Sequence, residues 1–328
     1  FDTHFVQRGR MARLAAFMAN WYRKTGQKAT GIGVDDRTAL FIEPSGIATA
    51  YGTAAVNFYF PPGDNPPFDT TVSMLRTGEM LTAQLLHGCT IDLNAIEIYG
   101  FEAPVIPTLD SEKVYTNLIF SGSDQIPEAA LQHFISNTGQ TSDTILIVTG
   151  SNQTIANALQ VSLQMLGANQ VYVQQAIASN QNDMNFAGLI QNARKFLFTG
   201  NEYNAFMTFM QGNGNGKFLN SKIRSYNTVS FFAGDNARFA GKSTVNNYME
   251  NAASYYGELE FSPGLALLET TVIMPNTYLN ADIYENTISG LPYAMLLDSL
   301  AYGLYLTGNN FASYSIDNQG KSYLKSLG

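Results

Sequence analysis

The fold class is decided by the stretch TILIVT at residues 144–149, six positions without a charged side chain. A continuous apolar run of this length is typical of a strand that is buried on both faces of a parallel sheet. A helical pattern follows through Leu166 and stops at Gly167, and another short strand pattern lies at 171–173. Strand and helix patterns that alternate in this way predict βαβ units.

The same alternation extends outward from that strand over residues 113–274. Strand patterns lie at 114–121, 195–199, 228–233 and 265–274, and helical patterns begin near Pro127 and near residue 183. The sequence therefore predicts an α/β domain with a mostly parallel sheet over 113–328. One segment between these patterns, 212–216, consists of glycine and asparagine, and this composition favours a mobile loop tip.

The first hundred residues follow a different pattern. Residues 6–24 form a predicted helix, and its apolar stripe comprises Leu14, Phe17, Met18 and Trp21. Short strand patterns follow at 29–43, where an Asp-Asp turn joins two strands, at 47–60 and at 71–99. Residues 101–112 contain prolines and are predicted to be a linker. The 328 residues are therefore predicted to comprise two domains, 1–100 and 113–328.

Composition and charge exclude several classes of protein. Hydrophobic residues make up 45% of the chain and charged residues 13%, and the net charge is −8. Enough apolar side chains are present to build cores, so global disorder is excluded, and an acidic chain is a poor candidate for binding nucleic acid. No apolar run approaches the ~18 residues that span a bilayer. The single cysteine, Cys89, excludes an internal disulfide, and the sequence predicts neither a metal site nor a cofactor.

Basic residues concentrate at the start of the chain. Within residues 1–28, six lysines and arginines accompany one acidic residue, Asp2. Such a cluster is typical of a solvated helix face, and it is equally compatible with a pocket for a carboxylate-bearing ligand. The first five residues, FDTHF, alternate between apolar and polar as a core strand does. A chain that opens inside a strand predicts that further residues lie upstream.

Two blocks near the start resemble a known family. Residues 2–14, DTHFVQRGRMARL, resemble the Asp-x-His-Phe-x-x-Arg-Gly-Arg-x-x-Arg-Leu segment of cyanophycinase and its relatives, which are serine peptidases that include dipeptidase E. Residues 31–40, GIGVDDRTAL, resemble the segment that follows it. The resemblance implies a flavodoxin-like fold of the class I glutamine amidotransferase type. It also implies that residues 1–100 are the C-terminal part of a domain whose nucleophilic serine and glutamate lie upstream.

The second half resembles the same family more weakly, as a degenerate copy. Residues 232–237, FAGDNA, align with the Gly-Thr-Ser-Ala-Gly nucleophile elbow, so that Asp235 replaces the serine. Residues 273–278, IMPNTY, align with the segment that carries the histidine, so that Thr277 replaces it. The resemblance therefore implies two tandem related domains, of which the first is incomplete in this chain and the second is not catalytic.

Three residues of the first block are candidates for the site. Asp2 and His4 are two positions apart and lie on the same side of a strand, at the carboxyl end where open α/β sheets place their sites. An imidazole can accept a hydroxyl proton as a general base, although a lone histidine is more often structural. Arg13 offers a planar fork for a substrate carboxylate, and Asp2 could orient the pocket or bind a guanidinium. The alternative for both is a buried Asp–Arg pair.

Two functions remain open at this stage. The first is a cyanophycinase-like serine hydrolase of aspartyl peptide or isopeptide bonds, in which His4 is the base and an N-terminal segment of the same protein supplies the serine. The second is an inactive binding or structural protein that keeps the fold and binds a protein partner. The low charge and the abundant Asn, Gly and Tyr lead us to expect an extracellular or cell-surface location in either case.

Overall fold

The structure is a computed structural model of the 328 residues. It describes residues 1–53, 55–60, 82–86, 90–92, 97–99, 117–137, 143–225, 228–277, 283–298, 300, 302–308, 310–316 and 322–327. Cys89 and the predicted linker at 101–112 lie outside these residues. The chain divides into two compact units, and the first contains residues 1–105, 248–258 and 282–292, whereas the second contains the remainder. The predicted division at 100 and 113 stays a prediction.

The described helices and strands follow one another in three groups. The first group is β1 (Asp2–Thr3), α1 (Met11–Thr25), β2 (Gly31–Val34), β3 (Thr38–Ile42), β4 (Ile47–Gly52), β5 (Val56–Phe60), β6 (Thr82–Leu86), β7 (Thr90–Asp92) and β8 (Glu97–Tyr99). The second is β9 (Asn117–Ser121), α2 (Glu128–Ser136), β10 (Ile145–Thr149), α3 (Thr154–Met165), β11 (Val171–Gln175), α4 (Met184–Asn192), β12 (Lys195–Phe198), α5 (Tyr203–Gln211), α6 (Asn215–Ile223) and β13 (Val229–Ala233). The third is β14 (Gly241–Val245), α7 (Ala253–Tyr256), β15 (Phe261–Pro263), β16 (Leu268–Thr277), α8 (Tyr284–Asp298), β17 (Tyr302–Thr307), β18 (Phe311–Ile316) and β19 (Ser322–Leu327).

The first unit contains two four-stranded sheets. One has the order β1-β2-β5-β6, in which β1 and β2 are parallel and the other pairs are antiparallel. The other has the order β3-β4-β7-β8 and is antiparallel throughout. The predicted Asp-Asp turn does join β2 to β3, but the two strands pair in different sheets. Apolar side chains of both sheets, including Leu40, Ala48 and Phe58, form a common core.

Helix α1 begins at Met11, five residues later than predicted, because residues 5–10 form turns that follow β1. It ends at Gly26, whose left-handed backbone lets its N–H bond to the Tyr22 carbonyl. Leu14 and Met18 are buried against Gly31 on β2, as the predicted stripe requires. The other two members of the stripe, Phe17 and Trp21, are 57% and 49% exposed, so this half of the prediction is wrong. The sheet therefore covers one i, i+4 ridge of the helix.

The second unit is built on a seven-stranded sheet of order β11-β10-β12-β13-β9-β18-β19. The first five strands are parallel and the last two are antiparallel. The α/β class with mostly parallel pairing is therefore confirmed. Strands β11-β10-β12-β13 follow the first four places of the flavodoxin-like order 2-1-3-4-5, and β9 takes the fifth place although it precedes them in the chain. A separate hydrophobic cluster packs on each face, which explains the uninterrupted apolar run of β10.

The same unit contains a four-stranded sheet of order β15-β14-β16-β17. Strand β16 is parallel to both of its neighbours, and β15 is antiparallel to β14. The 15-residue helix α8 lies between the parallel strands β16 and β17 in the chain, and its residues up to 292 belong to the first unit. Strands β1 and β2 are likewise parallel and joined through a 15-residue helix, α1.

The predicted loop at 212–216 is confirmed only for residues 212–214, which connect α5 to α6, and its mobility stays a prediction. Helix α6 begins at Asn215, and both Asn215 and Gly216 are buried. The backbone N–H of Gly216 donates to Gln181 Oε1 at 3.1 Å, and a Cβ atom on Gly216 would overlap the Phe209 carbonyl. The glycines therefore allow a close approach between chain segments.

Candidate active site

His4 and Asp36 lie at the carboxyl ends of the two parallel strands of the first unit. His4 follows β1 and Asp36 follows β2 after one intervening residue, so the parallel pairing brings both turns to the same edge of the sheet. His4 Nδ1 lies 3.3 Å from Asp36 Oδ1. The two side chains are 43% and 36% exposed, so the pair is accessible to a ligand. A carboxylate beside Nδ1 can orient an imidazole, and the predicted role of His4 as a general base stays a prediction.

His4 also has an unusual backbone conformation. Its φ angle is +48°, in the left-handed region that non-glycine residues seldom adopt. Such a conformation costs on the order of 1–3 kcal/mol and is found mostly at functional sites. The surrounding contacts must therefore hold the turn in place.

Asp2 is buried and is held by two arginines. Arg10 Nη1 donates to Asp2 Oδ1 at 2.9 Å, and Arg13 Nε donates to Asp2 Oδ2 at 2.9 Å. Arg13 Nη2 makes a further short bond to Asp2 Oδ1. Burial by itself would raise the pKa of Asp2, but the hydrogen bonds and charges of Arg13 and Arg10 outweigh it and hold this pKa below its ordinary value. The predicted roles of Asp2 and Arg13 in substrate binding stay predictions.

We expect Asp2 to make the stability of the first unit depend on pH in the acidic range. Because the pKa of Asp2 is lower in the folded state, Asp2 makes its full contribution to the free energy of unfolding at pH values above its ordinary pKa of 3.8. That contribution is lost as the pH falls through the pKa of Asp2 in the folded state. Asp2→Asn should lower the free energy of unfolding by about 2 kcal/mol at pH 7. Urea titrations should show this difference shrinking below pH ~4. Glu43→Gln removes an exposed carboxylate of the same unit and is the matched control. A constant difference down to pH ~3 would contradict the expectation.

A pocket of about 580 Å³ lies beside these residues in the first unit. It is lined by Arg8, Gly9, Arg10, Arg13, Tyr255 and Glu285. Three of the side chains carry guanidinium groups, which suit the planar oxygens of a carboxylate. Tyr255 and Glu285 have no signal in the sequence, because they lie in segments more than 200 residues beyond the motif. Ser254 beside Tyr255 connects to the motif through its hydroxyl, which donates to the Gln7 carbonyl at 3.4 Å.

Asp35 is a buried carboxylate directly before Asp36. It accepts hydrogen bonds from the Val6 N–H at 3.1 Å, the Ala55 N–H at 3.2 Å and Asn57 Nδ2 at 3.1 Å. Burial raises the pKa of Asp35 to about 6, and the three N–H donors oppose that rise. The residue is too enclosed to meet a ligand, so its role is in holding the turns together.

In the second unit, strand β13 ends in a sharp turn that is closed by polar contacts. Gly234 has a φ angle of +55°, and a Cβ atom there would lie 2.6 Å from the Asp124 carboxylate. Asp235 pairs with Arg238, whose Nη2 lies 2.8 Å from Asp235 Oδ2. Thr277 is buried and donates to the Met274 carbonyl at 3.1 Å. Asp235 and Thr277 each have a partner within this unit, and their assignment as replaced catalytic positions stays a prediction.

Neither a metal centre nor a membrane-spanning helix is found in the described part of the chain. No group of three or more His, Cys, Asp or Glu side chains among these residues could hold a metal ion. None of the helices described is both long and apolar enough to cross a bilayer.

The solved structures that are similar to this chain include two peptidases. They are a candidate peptidase E from Listeria monocytogenes EGD-e and a peptidase from an acI-B1 Actinobacterium. Each shares 12% identity with the chain at a TM-score of 0.46, and each alignment covers 65% of this chain, with 99% of the first structure and 88% of the second. No protein-family model matches the chain, and no curated protein matches it. At a similarity this low, the likeness carries no argument about activity.

Proposed function

We propose that this chain carries the general base of a cyanophycinase-like serine hydrolase that acts on aspartyl peptide or isopeptide bonds. The observation that carries the proposal is the 3.3 Å contact between His4 Nδ1 and Asp36 at the carboxyl ends of two parallel strands. His4 also belongs to the motif that resembles this family. A solvent-accessible histidine with its Nδ1 facing a carboxylate has its Nε2 available for proton transfer.

The chemistry would be acyl transfer. A serine Oγ attacks the carbonyl carbon while His4 Nε2 accepts its proton, and Asp36 stabilises the imidazolium that forms. The carbon–nitrogen bond then breaks as His4 returns that proton to the leaving amine, and water hydrolyses the acyl-enzyme with His4 again as the base. Among the residues that the structure describes, no hydroxyl or thiol contacts His4. We therefore propose that the serine comes from an N-terminal segment of the same protein, as the family resemblance implies.

The pocket that Arg8, Arg10 and Arg13 line would hold the substrate. Arg8 and Arg13 would bind its carboxylate, and the buried Asp2 fixes the geometry of Arg10 and Arg13. Glu285 adds one acidic group to the lining of this basic pocket. The proposal keeps the predicted class of aspartyl peptides, with or without arginine, because their carboxylates suit the guanidinium groups.

The second unit would be a non-catalytic relative of the first. In support, β16, α8 and β17 repeat the order and parallel pairing of β1, α1 and β2. Its elbow lacks serine, and the Asp124 carboxylate occupies the space that a side chain at Gly234 would need. Asp235 has no hydroxyl that could form the acyl ester of a serine hydrolase, and its carboxylate is paired with Arg238.

The proposal is tested on the native protein, which is isolated without denaturation and whose intact mass is measured by mass spectrometry. A fluorophosphonate reagent should label one serine in a segment that precedes Phe1, and peptide mapping should find no labelled serine between residues 117 and 327. The labelled protein should lose the ability to hydrolyse aspartyl peptides. A protein that is neither labelled nor active on such peptides would overturn the proposal.

The second candidate function is a binding or structural protein of an extracellular or cell-surface assembly. It is favoured by one observation: Asp2 already neutralises part of the charge of Arg10 and Arg13, as in a structural ion pair. An unlabelled protein whose pocket still binds aspartyl peptides would support this function over the hydrolase.

A further inference from the structure

The contact between His4 and Asp36 depends on the relative position of two turns. The first turn comprises residues 4–7 after β1, and the second comprises residues 35–36 after β2. Only two residue pairs join β1 to β2 along the strands, Asp2 with Gly33 and Thr3 with Val34. Beyond this ladder, one backbone bond joins the first turn to the end of β2, from the Phe5 N–H to the Val34 carbonyl at 3.2 Å. Side-chain contacts must fix the remainder of the turns, and the left-handed backbone of His4 adds to that need.

Two reciprocal hydrogen bonds connect these turns. The Asp35 carboxylate accepts the N–H of Val6 at 3.1 Å, and the Gln7 side-chain Oε1 accepts the N–H of Asp36 at 2.9 Å. Each side chain therefore binds the backbone of the opposite turn. Both are buried, with Asp35 3% and Gln7 4% exposed, so water does not compete for these bonds.

The second turn is also hydrogen-bonded to the chain at β5 and to the residue before it. The same Asp35 carboxylate accepts the N–H of Ala55 and the side-chain amide of Asn57. Three N–H donors from three places in the chain converge on one carboxylate. An amide at this position would present an N–H of its own to one of those donors, so even the isosteric asparagine cannot satisfy all three.

We propose that Asp35 and Gln7 are positioning residues, which hold His4 and Asp36 in register through these reciprocal backbone hydrogen bonds. This inference rests on the proposed function in taking His4 as the base. Its chemical consequence is the tautomer of His4: a carboxylate 3.3 Å from Nδ1 favours the neutral ring that carries its proton on Nδ1, which leaves the lone pair on Nε2, the atom that must take the serine proton. If either turn shifts, the preference for that tautomer weakens.

The tautomer can be measured without any activity. When the native protein, with its N-terminal segment, is labelled with [15N]histidine, the ring nitrogen shifts of His4 report the ratio of the Nδ1–H and Nε2–H forms. The chain has three histidines, so His4→Gln assigns the signals. Gln7→Met keeps the length of the side chain and removes the acceptor, and Asp35→Asn keeps its shape. Asp36→Ala gives the reference ratio without the carboxylate.

We expect Nδ1–H to dominate in the unmodified chain, and the ratio to fall about fivefold toward the Asp36→Ala value in both Gln7→Met and Asp35→Asn. Met18→Ala is the matched control, because it weakens the packing of α1 on β2 without touching either turn; it should lower the melting temperature and leave the ratio unchanged. If Asp35→Asn does not fold, the tautomer ratio of Gln7→Met alone tests the inference.

An unchanged ratio in Gln7→Met would overturn the inference, as would an equal change in Met18→Ala. The outcome is separable from that of the proposed function. A labelled, active hydrolase with an unchanged tautomer would refute the positioning role alone. A protein that lacks hydrolysis but shows the expected tautomer change would refute the hydrolase and keep the positioning role.

Discussion

Replacing His4 by glutamine is expected to slow the hydrolysis of an aspartyl peptide by about 10⁴-fold in the native, nucleophile-bearing protein. Glutamine is close in size but cannot carry a proton between the attacking hydroxyl and the leaving amine, so both halves of the reaction lose their acid–base group. The measurement is the steady-state rate with saturating peptide. The effect should fall on kcat, because His4 does not line the pocket that would bind the substrate.

Two variants make this result specific. Asp36→Asn should slow the same reaction by about 10²-fold, less than a fully buried triad acid would, because Asp36 is 36% exposed and water can partly replace it. His133→Gln, on helix α2 of the second unit, is the matched histidine control and should leave the rate unchanged. A His4→Gln protein that retains more than about a tenth of the activity would show that another group is the base.

The sequence predicted the second unit well because its strands are buried on both faces. The strand predicted at 144–149 is confirmed, since β10 is Ile145–Thr149. Residues 195–199 and 228–233 likewise differ from β12 and β13 by one residue. The pairing of strands could not be obtained in the same way. Nothing in the β9 segment indicates that it lies beside β13 rather than beside β10, its successor in the chain.

Half of the candidate site could be found from the sequence. The motif pointed to His4, but the family resemblance implied that the partner carboxylate lay upstream, and the carboxylate that contacts His4 is Asp36 of this chain. A usable signal was present: two aspartates directly follow the strand 31–34, and the carboxyl ends of adjacent parallel strands meet. Glu285 had no such signal, because only the folded chain brings it to the pocket.

Amphipathic and glycine patterns were less informative than the buried strands. The stripe on α1 specified four apolar residues, yet β2 presents Gly31 to the helix and covers only Leu14 and Met18. The glycines at 212–216 gave the signal of a flexible loop, whereas Gly216 is required where α6 approaches the Phe209 carbonyl. A glycine that permits close packing and one that permits motion have the same sequence signal.

Replacing Lys195 by methionine is expected to lower the free energy of unfolding of the second unit by about 3–5 kcal/mol. Lys195 begins β12 and is 1% exposed, with its Nζ 3.5 Å from Asp143 Oδ2 and in a short hydrogen bond with the Ile135 carbonyl at the end of α2. Burial lowers the pKa of Lys195, and the charge of Asp143 opposes that change. Methionine fills the same space but carries no charge, so the carboxylate of Asp143, which is only 6% exposed, loses its cationic partner.

Urea unfolding followed by far-ultraviolet circular dichroism would measure this loss of stability. Lys217→Met is the control, because Lys217 is exposed on α6 and its replacement should change the free energy of unfolding by less than about 0.5 kcal/mol. The double variant Lys195→Met with Asp143→Leu then separates the two contributions. If the cost of the single variant comes from leaving the Asp143 charge buried without its cation, removing that charge should restore most of the stability, because a well-packed apolar pair can replace a buried ion pair at little net cost. A double variant as unstable as Lys195→Met would show instead that the hydrogen bond from Lys195 to the end of α2 is what the fold requires.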